Sequence, residues 1–366
     1  MTNVNSSSIP SGSTRPKNGN NPHGRIVGNG DFTYRVDCNW GQLDANKYPV
    51  ENCHSLAFDS QKNIVMTTDH PQNNIIIYNQ DGKLIDAWGT MFPGAHSAKV
   101  VNENGEDYIY LVESGWILNR RWDGVSTDKW DSPFNKVIPQ AGFIAKLTMD
   151  GRLVFTISHP QTIGIYTPDM PFNPTDIAIG ANGDLYVTDG YGSDYIIQYD
   201  SQGRYIRHWG GHDNADKNYN LINTHGIEID QRDPLNPKLM VSSRAEQAIK
   251  YFSLSGDYIS TLSVPGAWIH GPVFKGEHFY APVCWSDIDG ENKDDSGFIA
   301  IFNSSDRLVA TIGAESPIYK NDQLQQVSTT WNLFNHCHGL CIDDDENIYV
   351  GQWRANQSYP WKLHRL

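Results

Sequence analysis

Residues 174–211 read PTDIAIGANGDLYVTDGYGSDYIIQYDSQGRYIRHWGG. Short runs of alternating apolar residues are separated by Asn-Gly, Gly-Ser-Asp and Gln-Gly turn signals, which describes four strands in under forty residues. The same unit recurs along the chain, and a repeat of this length is the signature of a propeller blade. Residues 53–89 read CHSLAFDSQKNIVMTTDHPQNNIIIYNQDGKLIDAWG, and residues 224–262 read THGIEIDQRDPLNPKLMVSSRAEQAIKYFSLSGDYISTL. A further copy starts at Ala95 and carries an insertion over 115–141 before GFIAKLTMDGRLVFTIS at 142–158. Another starts at Ile269, passes through FYAPVCW at 279–285 and ends in GFIAIFNSSDRLVATIG at 297–313. The sixth starts at Cys337 with CHGLCIDDDENIYVGQW and runs out after three strands at Leu366.

The missing strand stands at the other end of the chain. Residues 32–41, FTYRVDCNWG, match the blade endings KLIDAWG and RYIRHWG. The expected fold is therefore all-β: a six-bladed propeller whose last blade is closed by an N-terminal strand, which removes two exposed sheet edges. A generic β-sandwich explains short strands and glycine turns but not six copies in phase. The propeller is expected over residues 25–366 as one domain, with residues 1–24 as a disordered polar leader.

The charge balance, 28 Lys+Arg against 42 Asp+Glu, gives −14 with only 19% of residues charged. An acidic chain without a Lys/Arg patch is not built to bind a nucleic-acid backbone. No apolar run approaches the roughly 20 residues of a membrane span, so neither nucleic acid nor membrane is expected as a partner. Residues 1–22 lack the apolar core of a signal peptide. The Asn5, Asn303 and Asn356 sequons are of a kind common by chance, and five cysteines form an odd, sparse set in which Cys38 and Cys53 are the pair to consider. Localisation stays open, the cytoplasm being favoured and secretion the alternative.

In a propeller the first strand of each blade lines the central channel. Aligned there, the six copies present His54, His96, Thr175, His225, His270 and His338. One such histidine would be read as structural. Five around one axis call for a divalent metal, since neutral imidazole ligates zinc, copper, iron and nickel. Blades 2, 4 and 6 alternate around the ring and offer His96, His225 and His338. Three imidazoles make an open site with a position left for water or substrate. His54 and His270 are then groups that hydrogen-bond the ligands, acid/base groups or ligands of another ion, and Thr175 is a candidate substrate contact.

Second strands end at the channel mouth with Asp69-His70, Glu113, Asp189 before Tyr191, Arg244, Cys284-Trp285 and Gln352-Trp353. The acids are read mainly as turn-holding groups. Tyr191, Arg244 and His70 fall beyond them on loops. Arginine binds a carboxylate or an oxyanion, and a tyrosine beside a metal and a cation is expected to ionise below its usual ~10 and act as a base. Trp116, Trp285 and Trp353 are packing residues or substrate platforms. The insertion over 115–141 and the segment 314–335 are candidate lids.

Residues 174–211, followed by THGIEID and VSSR, resemble the peptidyl-α-hydroxyglycine α-amidating lyases, NHL-type six-bladed propellers. The likeness is strong over about 170–255 and weak over the rest of 50–366. It implies a catalytic zinc on His96, His225 and His338, a catalytic tyrosine at Tyr191 and an active-site arginine at Arg244. Three departures stand out. Asp69-His70 occupies the place of the family's other arginine, His54 and His270 are additional, and Gly339 stands where the family has an aspartate for a structural calcium. Zinc is therefore the expected metal and calcium the alternative. A metal-dependent lyase acting on a small hydroxylated or carboxylated molecule is the first reading. A metal-dependent hydrolase of an ester, lactone or glycoside, with His54 or His270 as base, is the second, and a non-catalytic binding scaffold the third.

Overall fold

A computed structural model of the chain describes residues 21–124, 133–134, 136–329, 332–353 and 359–366. It is an all-β ring of six blades. Blade 1 orders Cys53–Phe58, Ile64–Thr68, Ile75–Tyr78 and Leu84–Trp88 from the axis outward. Blade 2 orders Ala95–Glu103, Glu106–Glu113, Phe143–Thr148 and Leu153–Ile157, and blade 3 orders Asp176–Ile179, Leu185–Thr188, Tyr195–Tyr199 and Tyr205–Gly210. Blade 4 comprises Thr224–Asp230, Lys238–Ser243, Ala248–Ser253 and Tyr258–Ser263. In blade 5 the long strand His278–Ile288 pairs inward with Ala267–Ile269 and Val273–Lys275 and outward with Phe298–Phe302 and then Leu308–Ile312.

Blade 6 is assembled from both ends of the chain. Cys337–Ile342, Ile348–Gln352 and Trp361–Arg365 are followed by Phe32–Asp37, with Tyr34 opposite Arg365 and Val36 opposite Leu363. A fifth strand, Ile26–Asn29, pairs outside it and was not expected from the repeat. Asn29 ties this strand to blade 5 by exchanging hydrogen bonds with Thr311, at 2.9 and 3.0 Å. Residues 1–20 of the expected leader lie outside the described residues. Among the described residues there is no helix long and apolar enough to cross a membrane. All five cysteines are buried thiols, and Cys38 and Cys53 do not pair.

The middle strands are buried on both faces, as in Ile64–Thr68 and Phe298–Phe302. Outermost strands such as Tyr258–Ser263 are largely solvated, whereas Leu308–Ile312 of blade 5 is mostly buried under Asn29 and its strand. This grading follows from the ring. Each blade packs its two faces on its neighbours, and side chains such as Ile177, Val187 and Ile197 fill the seams. Apolar burial between blades thus holds a rigid frame around the axis.

Candidate functional site

The innermost strands carry a β-bulge at the channel position in four blades. The register slips by one residue across His54-Ser55, at His96, at His225 and across His338-Gly339. A bulge re-aims the side chain it contains, and here it turns these imidazoles onto the axis. The glycine after each of three channel histidines lets neighbouring strands approach closely. A Cβ on Gly226 would stand 2.1 Å from Gly271 N, and one on Gly339 would stand 2.6 Å from His54 O. Position 339 therefore has no room for the aspartate that the resemblance would place there.

The five imidazoles form one buried cluster. Ring centroids lie 4.7 Å apart for His96–His225 and His96–His338, and 5.1 Å apart for His225–His338, so the expected alternating set does converge. His54 and His270 are equally close, at 4.7 and 4.4 Å from His338. The donor atoms form two tight groups, His54–His96–His338 and His225–His270–His338, each with all donors within 4.8 Å of one another. A third group joins His270 to Cys284 and His336. Burial first, and neighbouring imidazoles and Arg244 second, hold His96, His225, His270 and His338 well below the usual histidine range. They are neutral near pH 7, the form that ligates.

The hydrogen bonds assign the tautomers. His96 Nδ1 donates to Thr175 O and His338 Nδ1 to His54 O, both at 2.7 Å. His54 Nε2 donates to Asp69 Oδ2 at 2.9 Å. Burial alone would push the Asp69 carboxyl up, but His54 and Asn52 hold it below its usual range. Three second nitrogens, His54 Nδ1, His96 Nε2 and His338 Nε2, are thereby left as lone pairs on the axis side. An orienting partner on the far nitrogen is the usual support of a metal-binding imidazole. These residues fit a zinc or similar ion. They do not make the oxygen-rich set that calcium takes.

Above the ring lies a cavity of about 280 Å³ lined by His54, His96, His338, Tyr191, Arg244 and the indoles of Trp116, Trp268, Trp285 and Trp353 among others. Below it a compartment of about 50 Å³ is lined by all five channel histidines with Lys99 and Asp176. Trp116 belongs to the blade 2 insertion, where Trp116–Leu118 pairs with Val137–Pro139 and flanks the cavity. Residues 125–132 and 135 of that insertion lie outside the described residues. The other candidate lid does not reach the cavity with its described residues. Val327 and Leu333 instead pack into apolar cores beside blade 5.

Tyr191 follows Gly190, where a Cβ would stand 1.7 Å from Thr224 O, so only glycine lets the loop pass under blade 4. The Tyr191 hydroxyl sits 3.1 Å from His96 Nε2 and 2.8 Å from His225 Nε2. Burial raises its pKa while Arg244 opposes the rise, so the chain's own groups do not produce the lowering expected from sequence. Arg244 opens the short 3-10 turn Arg244–Glu246 and is only 6% exposed. It donates to Asn223 Oδ1, to His270 Nε2 at 3.3 Å and to Cys284 Sγ at 3.8 Å, and lies over the Tyr191, Trp268 and Trp285 rings at 5.6–5.9 Å.

Two expected site residues point elsewhere. His70 lines a separate pocket with Glu51 and Arg120, because the turn after Asp69 carries it outward and its Nδ1 accepts from Gln72 N at 3.2 Å. Thr175 is fully buried and spends its hydroxyl on Thr224 O at 2.6 Å, so its contribution is the carbonyl that orients His96. Sequence reasoning missed Trp268, His336 and Asn223, all in the cavity wall. Each stands two residues before a channel histidine, and the two-residue period of a strand was the available signal. Glu113 and Asp189 hold turns as expected, accepting from Gly94 N and Asn173 N at 3.1 and 2.6 Å.

By sequence, no family profile and no curated protein matches the chain. Solved structures do. A streptogramin B lyase superposes with a TM-score of 0.52 at 15% identity, over 92% of this chain and 98% of that one. Virginiamycin B lyase from Staphylococcus aureus gives 0.50 at 14%, over 86% and 96%. XC5397 from Xanthomonas campestris, a gluconolactonase, gives 0.53 at 12%, over 90% and 89%. At these identities the similarity shows the fold, a six-bladed propeller.

Proposed function

We propose that the chain is a metal-dependent lyase acting on a small hydroxylated or carboxylated molecule bound in the channel cavity. The observation that carries this reading is the buried set of His54, His96 and His338, whose free ring nitrogens lie within 4.8 Å of one another beneath a cavity that Tyr191 and Arg244 also enter. The lyases and the lactonase among the structural neighbours and the resemblance over residues 174–211 support an enzyme over a scaffold, though fold by itself does not decide chemistry. Zinc is the ion the imidazole donors suit best. His96 and His338, with a third imidazole of the cluster, would hold it, and it would supply a Lewis acid for a substrate oxygen.

The chain's own groups divide the remaining work. Arg244 is a buried cation, and among the described residues no carboxylate pairs with it. A substrate carboxylate or developing oxyanion would complete it. Tyr191 takes a proton from a hydroxyl or a carbon acid, and its 2.8 Å contact to His225 Nε2 gives that proton an acceptor behind it. Trp116, Trp285 and Trp353 wall the cavity, exclude water and offer flat apolar faces. C–N, C–O and C–C cleavage all fit this arrangement.

The test is to strip the protein with chelator and assay it on peptides ending in α-hydroxyglycine, 2-hydroxy acids and sugar lactones. Activity should vanish on stripping, return with zinc, and be lost in Tyr191→Phe. Undiminished turnover by metal-free protein overturns the reading. Incorporation of solvent oxygen-18 into product moves it to a hydrolase of an ester or lactone on the same site.

A further inference from the structure

The nitrogens His54 Nδ1 and His338 Nε2 face each other at 3.4 Å. Each ring has its assigned N–H on its other nitrogen. His54 has its N–H on Asp69, and His338 has its N–H on the His54 carbonyl. Two lone pairs directed at each other repel unless something positive stands between them. The distance is long for a hydrogen bond. It equals the roughly 3.3–3.4 Å that separates two nitrogens each about 2.0–2.1 Å from a tetrahedral zinc. His96 Nε2, also a lone pair, completes a group of three within 4.8 Å.

The protons on the other side of the cluster are arranged differently. The Tyr191 hydroxyl lies between His96 Nε2 and His225 Nε2 and has one proton to give. Once His96 Nε2 is otherwise engaged, that proton belongs to His225. His225 is then occupied as the tyrosine's acceptor, and it is absent from the wall of the upper cavity, which His54, His96 and His338 do line. Asp69 makes the difference. It is 4% exposed, fixed by Asn52 through N at 3.0 Å and Nδ2 at 2.7 Å, and aimed at His54 Nε2. It stands where the resemblance would have an arginine, which would bring no acceptor for His54.

We propose that the metal of this channel is held by His54 Nδ1, His96 Nε2 and His338 Nε2, from the three consecutive blades 1, 2 and 6. Asp69 is the residue that sets the His54 tautomer, and His225 is left outside the ligand set as the proton partner of Tyr191. The proposal rests on the metal-dependent reading above and replaces the alternating set with a contiguous one. It also separates the roles. One side of the cluster binds the ion, and the other side, His225 with Tyr191, handles the proton.

The test is zinc binding to the full-length stripped protein, read by competition with a chromophoric chelator, with X-ray absorption to count imidazoles. Wild type should bind a first zinc through three imidazoles. His54→Ala should lose at least 100-fold in affinity, and His54→Gln serves if the alanine variant fails to fold. Asp69→Asn should lose 10–100-fold with an unchanged circular dichroism spectrum, as expected for an orienting partner, and Asp69→Glu should recover part of it. His225→Ala should bind within about threefold of wild type and still show three imidazoles. Loss of zinc in His225→Ala, retention of wild-type affinity in His54→Ala or in Asp69→Asn, or no zinc on wild type overturns the assignment. If the binding results hold but the stripped protein remains active, the ligand set stands and the metal-dependent lyase reading falls.

Discussion

The indole of Trp116 lies flat on the Tyr191 phenol, with centroids 4.2 Å apart and planes 16° apart. One ring comes from the blade 2 insertion and the other from the loop after the second strand of blade 3. The stack covers one face of the group assigned to proton transfer. Trp116→Ala should open that face, and the Tyr191 pKa should fall back toward the ordinary phenol value as its burial is relieved. A spectrophotometric titration of Trp116→Ala minus Trp116→Ala/Tyr191→Phe isolates this one phenol. A Tyr191 pKa unchanged from wild type would show that the insertion is not what buries it.

Glu113 gives stability a pH dependence of its own. Burial pushes its carboxyl from 4.5 up to about 7, against the hydrogen bonds from Gly115 and Gly94. A raised carboxylate favours the folded state below its unfolded pKa and loses that contribution as pH rises through the folded value. The shift corresponds to about 3 kcal/mol lost between pH 4.5 and 7. In Glu113→Gln this loss is absent, so the melting temperature of the variant should gain on wild type steadily across that range. Parallel melting curves at pH 5 and pH 8 would contradict the shift.

The channel histidines act in the opposite direction. The folded pKa values of His96, His225, His270 and His338 are depressed, so above about 6.5 both folded and unfolded chains hold these four neutral. As pH falls below that, only the unfolded chain takes up protons and stability drops. The metal-free protein should therefore lose melting temperature between pH 6.5 and 5. The double variant His225→Gln/His270→Gln should lose less over the same interval. An equal acid slope in both proteins would mean that the cluster is not the source.

These histidines show what the sequence could and could not reveal. Five of them were legible because a repeat converts sequence position into place on the axis, and the bulges at His54, His96, His225 and His338 only sharpen the aim. Trp268 and His336 obey the same two-residue period but sit outside the aligned position. The repeat does not place His70, because one residue of turn reverses a side chain's direction and turn geometry is not periodic. The Asp69–His54 contact is a pairing between strand ends. Nothing local distinguishes an acid that holds a turn, as Asp189 does, from one that also orients an imidazole.

Ring closure was read from the blade endings, and its energetic weight is open to measurement. Tyr34 and Val36 of Phe32–Asp37 are buried, and Asn29 of the outermost strand reaches blade 5. Deleting residues 1–37 removes both strands and leaves Trp361–Arg365 as an open edge, with the polar ladder unpaired. The truncated chain should melt at least 10 °C lower and self-associate, seen by calorimetry and light scattering. A monomer with an unchanged melting temperature would mean that the three remaining strands close the ring unaided.

Arg244 is where function should oppose stability. Its guanidinium is buried among Tyr191, Trp268 and Trp285, with only neutral partners at Asn223, His270 and Cys284 among the described residues. A buried charge without a countercharge costs several kcal/mol in desolvation, and an apolar replacement of similar length is often more stable. Arg244 also depresses His225 and His270. Arg244→Met should therefore melt about 1–2 °C higher, a gain of roughly 1 kcal/mol for a chain of this size. It should also raise the pKa of both imidazoles and abolish turnover of any carboxylate substrate. Such a trade is expected when a cation is kept for its ligand rather than for the fold. A lower melting temperature in Arg244→Met would assign the arginine to the scaffold and remove the argument that a substrate anion completes it.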